Sequence, residues 1–156
     1  MTPALEQART AGIACTLHEY LHDPGAASYG LEAAEKLGLP PEQVFKTLIV
    51  KLDGKQLAVG ILPVTQQLSL KQIAKAAGAK KAVMADPAEV ERVTGYVLGG
   101  VSPLGQKKRL ATFIDETAQQ HATIHVSAGR RGLEIELAPG DLAALTDARF
   151  VPLAMN

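Results

Sequence analysis

The stretch VFKTLIVKLDGKQLAVGILP, Val44 to Pro63, holds two apolar and β-branched runs on either side of Asp53-Gly54. An Asp-Gly pair tolerates the positive φ angles of a tight turn, which makes this the strongest hairpin signal in the chain. An antiparallel pair of this kind argues against a doubly wound parallel sheet. It also poses a problem. Read as a strand, Val44, Leu48, Val50 and Leu52 share one apolar face. Lys46 stands on that face too. An unpaired ammonium in an apolar row is costly unless it reaches water or meets a ligand.

The rest of the chain supplies helices and further strands. TPALEQARTAG reads as a helix capped by Thr2, with Pro3 in its first turn and Gly12 at its end. IACTLHEYLH alternates as a strand. SYGLEAAEKLG is a helix with Ser28 as cap and Gly38 as stop, and SLKQIAKAAGA is one capped by Ser69 and ended by Gly78. KAVMA is a short strand, and DPAEVERVTG is a helix with Asp86 as cap and Pro87 behind it. YVLGGVSPLGQKKRL is a glycine-rich ordered loop. RLATFID and ATIHVSA are strands separated by the helical turn DETAQQH. LEIELA is a strand, PGDLAALT a helix and ARFVPL a last strand. About six or seven strands and five short helices in mixed order are expected. That pattern predicts a single α+β domain over residues 1–156, with a mixed, barrel-like sheet flanked by helices. No internal repeat is evident.

Bulk properties narrow the function. Lys+Arg and Asp+Glu balance at 16 each, so strong non-specific binding to DNA or RNA is not expected. Aromatic residues are only 4%, with no tryptophan, which argues against a base-stacking platform. Charge is uneven along the chain: Lys107, Lys108, Arg109, Arg130 and Arg131 precede an acidic C-terminal stretch. That polarity could steer a phosphate backbone, although most such runs are solvated faces. No basic-then-apolar leader opens the chain, and no apolar run approaches a membrane span of about 20 residues. A cytoplasmic protein without membrane association is expected.

Cys15 is the single cysteine, so neither an intrachain disulfide nor a cysteine-based zinc site is available. No activating partner stands beside it, and it reads as a small buried hydrophobe. The histidines pair as His18 with His22 and His121 with His125. On strands, residues four apart are about 13 Å distant, too far to share an ion, so no metal site and no cofactor is expected. Gly99, Gly100 and Gly105 in GGVSPLG permit close backbone approaches, and free N–H groups there could cradle a carbonyl or phosphate oxygen. The loop is neither a phosphate-binding P-loop nor a dinucleotide fingerprint. No Gly-x-Ser-x-Gly nucleophile elbow is present.

Taken in order, VFKTLIV, MADPAEVERVTGYVLGGVSPLGQKKRL and VSAGRRGLEIELAPGDL resemble the bacterial YbaK/EbsC family. These are free-standing deacylases that clear mischarged Cys-tRNA(Pro), and the similarity runs nearly end to end. The resemblance implies a one-domain α+β fold with a barrel-like sheet. It also implies mischarged tRNA and prolyl-tRNA synthetase as partners, with no DNA. It places the family lysine on Lys46 and the threonine after it on Thr47. The glycine and proline of a Gly-x-x-x-Pro loop fall on Gly99 and Pro103, with Gly100 and Ser102 between them. Pocket residues fall on Tyr20, Tyr29, Ser127 and Glu134. Tyr29 stands where phenylalanine is common, and Glu134 where aspartate is common. Both departures bear on substrate selectivity rather than on reaction class.

The similar enzymes are thought to let the substrate's own thiol attack its ester carbonyl. The protein then supplies position and charge stabilisation rather than a nucleophile. On this reading Lys46, Gly99 and Gly100 are catalytic, and Tyr20, Tyr29, Thr47, Ser102, Pro103, Ser127 and Glu134 bind substrate. Two alternatives stay open: an Ala-tRNA(Pro) deacylase that uses water, and a non-catalytic synthetase- or tRNA-binding module.

Overall fold

A computed structural model describes residues 1–25 and 29–156. Five α-helices and eight strands are present among them. The helices are α1 (Pro3–Ala11), α2 (Tyr29–Leu37), α3 (Leu70–Ala77), α4 (Pro87–Thr94) and α5 (Pro139–Thr146). The strands are β1 (Cys15–Glu19), β2 (Phe45–Leu52), β3 (Gln56–Pro63), β4 (Ala82–Met84), β5 (Ala111–Asp115), β6 (Ile124–Arg130), β7 (Leu133–Leu137) and β8 (Arg149–Val151).

Several of the predicted signals act where they stand. Thr2 accepts the Leu5 amide and Gly12 closes α1 in the left-handed region. Ser69 and Gly78 bracket α3 in the same way. The Ser28 cap expected for α2 lies outside the described residues. Asp86 precedes α4 but makes no side-chain capping bond. The β2–β3 hairpin turns through Asp53 and Gly54, at φ of 50° and 67°. The Asp53 carboxylate also accepts the Lys80 and Lys81 amides, tying that turn to the start of β4.

The strands form two sheets, β4-β2-β3-β5-β8 and β1-β7-β6. This corrects the expected barrel: the sheets do not close on themselves. They meet at a single parallel bridge between Val44 and His125. The larger sheet is mixed. β3–β5 and β5–β8 run parallel, whereas β2 pairs antiparallel with β3 and β4. One apolar cluster joins Phe45, Ile49, Val59 and Ile61 to Val126, Ile135 and Leu137 of the smaller sheet, and α1 contributes Ala4 and Ala8. A second cluster lies on the other face of β2, where Val50 and Leu52 pack with Ile73 and Ala74 of α3. Cys15 is exposed on the outer strand β1, contrary to the buried position expected for it.

The edge of β2 carries the feature that matters for function. β6 touches its start at Val44, and β4 flanks only Val50 to Leu52. Among the described residues, no strand pairs with Lys46 to Leu48 on that side. The Ile49 carbonyl accepts the Ala85 amide across this edge. Main-chain groups two residues apart in a strand point the same way, so the Thr47 N–H and C=O also face the gap.

Candidate functional site

A cavity of about 370 Å³ opens at this gap, lined by β2, the start of α2, the loop around Gly99, and the β6–β7 pair. The structure brings Tyr20, Tyr29, Lys46, Thr47, Gly99, Ser127 and Glu134 together in its walls. Lys46 is half-buried, and burial lowers its pKa with no counter-ion offsetting the shift. The apolar row noted in the sequence is therefore split. Helix α3 covers Val50 and Leu52, while Lys46 at the other end enters the cavity. The alternation of a strand turns the Thr47 side chain to the face opposite Lys46. It nevertheless lines the same cavity, because the hollow wraps around the bare strand edge. Its Oγ1 is buried without a hydrogen-bond partner among the described residues.

Gly99 and Gly100 behave differently. Gly99 lines the cavity at φ 92°, and a β-carbon there would lie 2.8 Å from the Tyr29 ring. Gly100 packs against the Arg130 backbone, and its N–H is spent on the Val97 carbonyl. The N–H groups of Gly99 and Val101 make no hydrogen bond among the described residues, and both residues face the cavity. Ser102 and Pro103 lie elsewhere. Ser102 is fully buried, and its hydroxyl accepts the Leu104 amide. Pro103 lines a separate cleft with Gln7 and Arg109.

The far wall comes from the small sheet. Ser127 on β6 stands opposite Glu134 on β7. The Ser127 hydroxyl accepts the Gly129 amide and has no histidine or carboxylate partner among the described residues. Glu134 is 7% exposed, and burial pushes its pKa up to about 8. It is thus mostly protonated at neutral pH, a hydrogen-bond donor rather than a counter-ion for Lys46. Burial also raises the Tyr20 phenol.

Arg131 was not singled out by sequence, yet it lines the cavity. Its guanidinium stacks on Tyr29, and its Nη2 lies 3.7 Å from Glu32 Oε1. Burial alone would raise the Glu32 pKa. Contacts with His22 and the Asp23 amide outweigh it and hold the carboxyl below its ordinary range. The sequence signal was available: Arg131 directly precedes Gly132, whose φ of 89° turns the chain into β7.

The four histidines also fall out differently from their spacing. His18 and His125, on the outer strands of the small sheet, meet across β7 with ring centres 5.2 Å apart. Glu136 lies beside them, with Oε1 at 2.9 Å from His18 Nε2. Its pKa is lowered, chiefly by hydrogen bonds from Thr123 and His18.

No helix among the described residues is long and apolar enough to cross a membrane. Comparison with known proteins agrees with this architecture. EbsC of Enterococcus faecalis, named for Cys-tRNA(Pro)/Cys-tRNA(Cys) deacylation, is 43% identical over 120 residues, which cover 77% of this chain and 73% of that protein. The Ser/Thr-tRNA deacylase ProXp-y of Escherichia coli is 36% identical over 73 residues, 45% of this chain and 44% of that one. A crystal structure described as a trans-editing enzyme for prolyl tRNA synthetase superposes with a TM-score of 0.84. It is 22% identical and covers 100% of this chain and 99% of its own, a likeness of fold. The aminoacyl-tRNA editing domain model matches residues 23–145, and the chain belongs to that family.

Proposed function

We propose that this protein is a trans-editing deacylase for Cys-tRNA(Pro). The observation that carries the reading is the Lys46 ammonium in a cavity with no activated nucleophile among the described residues that line it. Cys15 is exposed on β1 and is not among the lining residues. The Ser127 hydroxyl makes no hydrogen bond to a base among the described residues. A cavity of about 370 Å³ falls in the size range of small-molecule sites and suits the aminoacyl end of a tRNA.

The substrate supplies its own nucleophile. The cysteinyl sulfur attacks the ester carbonyl, so a carbon–sulfur bond forms and the bond to the ribose oxygen breaks. The thiol proton ends on the departing ribose hydroxyl, and a four-membered thiolactone leaves. Lys46 stabilises negative charge on the carbonyl oxygen. The free N–H groups of Gly99 and Val101, with Thr47 on the strand edge, surround the same space. Tyr20, Tyr29, Ser127 and protonated Glu134 shape the aminoacyl pocket. Prolyl-tRNA synthetase supplies much of the grip on tRNA, in keeping with the zero net charge.

The test is a deacylation panel of Cys-, Ala- and Ser-charged tRNA(Pro), with and without the synthetase. Cys-tRNA(Pro) should be cleared and Ser-tRNA(Pro), which lacks the thiol, spared. Equal turnover of all three would replace substrate-thiol attack by attack of water. No turnover of any would leave a binding module.

A further inference from the structure

We propose a binding site for a divalent transition-metal ion of the zinc type at His18, His125 and Glu136. These residues sit on three adjacent strands, β1, β7 and β6, and His18 is 118 positions from Glu136 in sequence. One donor atom from each lies within 4.8 Å of the other two. His18 Nε2 and Glu136 Oε1 are already 2.9 Å apart. Donors about 2.0–2.2 Å from a tetrahedral ion are separated by roughly 3.3 Å. Only the His125 ring therefore has to close in.

His125 provides the second, independent observation. It is 1% exposed, yet its ring makes no hydrogen bond among the described residues, and its Nδ1 is fully enclosed. A buried, unpartnered imidazole is costly unless something binds it. The opposite side of the cluster is open, because His18 and Glu136 side chains each keep 27% of their surface. That leaves a route for an ion and room for water to complete its shell.

The carboxylate is also pre-oriented. Thr123 Oγ1 donates to Glu136 Oε2 at 2.6 Å, which leaves Oε1 turned towards His18. Gln43 in turn donates to the Thr123 carbonyl at 2.8 Å. Outer partners that fix a ligating carboxylate are a regular part of metal sites. Two imidazoles and one carboxylate favour a first-row transition ion over Mg²⁺ or Ca²⁺, which prefer all-oxygen shells. A bound ion would cross-link three strands beside Val44, where the two sheets touch.

The test uses the full chain, freed of metal by a chelator and titrated with Co²⁺ and then Zn²⁺. One equivalent of Co²⁺ should give visible absorption bands that Zn²⁺ abolishes, and Zn²⁺ should raise the melting temperature. His18→Ala and Glu136→Gln should each weaken binding by more than tenfold. His121→Ala, a histidine outside the cluster, should bind like wild type. Thr123→Val should weaken binding by about tenfold while keeping every ligand. Absence of a saturable equivalent at tenfold excess would overturn the site. So would binding that His18→Ala and Glu136→Gln leave unchanged.

Discussion

The Arg131 guanidinium carbon lies 3.7 Å from the centre of the Tyr29 ring, joining the β6–β7 turn to the first residue of α2 across the cavity mouth. Such a contact is worth about 1 kcal/mol when partly desolvated. A double-mutant cycle of Tyr29→Leu and Arg131→Met in urea unfolding should show coupling of about that size. Tyr29→Phe should retain it. Coupling indistinguishable from zero would mean that the stack adds nothing to stability.

Lys46→Met should lower Cys-tRNA(Pro) deacylation by about a hundredfold or more, the usual effect of removing one charge-stabilising donor. Stability should hold or rise, because burial disfavours the ammonium. The sign with pH follows from linkage. The folded lysine gives up its proton below the ordinary value of 10.5, while the unfolded chain keeps it to that value. Stability should therefore increase with pH between the lowered pKa and 10.5, and Lys46→Met should remove that increase. Chemical denaturation across alkaline pH measures it.

Glu134 gives the opposite slope. Its folded pKa is pushed up to about 8 from 4.5, so between those values the unfolded chain has lost a proton that the folded one keeps. This contribution is fully present at acid pH and lost as pH rises through about 8. Glu134→Gln should flatten the stability curve over that window, with chelator present throughout. A wild-type curve already level there would show that the carboxyl ionises normally.

Gly99→Ala combines a strained φ of 92° with a contact of 2.8 Å to the Tyr29 ring. The variant should fold with an unchanged circular dichroism spectrum but lose most deacylation, as the loop or Tyr29 shifts into the cavity. Wild-type kcat/KM in this variant would detach Gly99 from the site.

The hairpin, the Thr2 and Ser69 caps and the odd placement of Lys46 were legible because each depends on residues close in sequence. The division into two sheets was not. It rests on the parallel pairing of Val59 with Thr112 and on the Val44–His125 bridge, contacts that local periodicity does not encode. Cys15 read as buried because a cysteine without an activating partner behaves as a small hydrophobe, yet it stands exposed on an outer strand. Thr47 alternates to the face opposite Lys46, and only the fold shows a cavity that wraps the strand edge and meets both residues. Arg131 read as part of a solvated charge run; only the fold turns it over Tyr29. The His18–His125 encounter was hidden because spacing arithmetic measures distance along one strand, whereas these rings meet across two.

The bare rim of β2 between Val44 and Val50 has a consequence for how such a protein diversifies. Amide groups displayed by Thr47 belong to the peptide chain itself, so no replacement other than proline removes the N–H. Lineages could exchange Tyr20, Tyr29, Ser127 or Glu134 to admit a new acyl group while the rim continues to offer the same polar atoms. Mutational scans by side chain would accordingly undercount what this strand contributes, and ester-for-amide backbone replacement would be the way to weigh it.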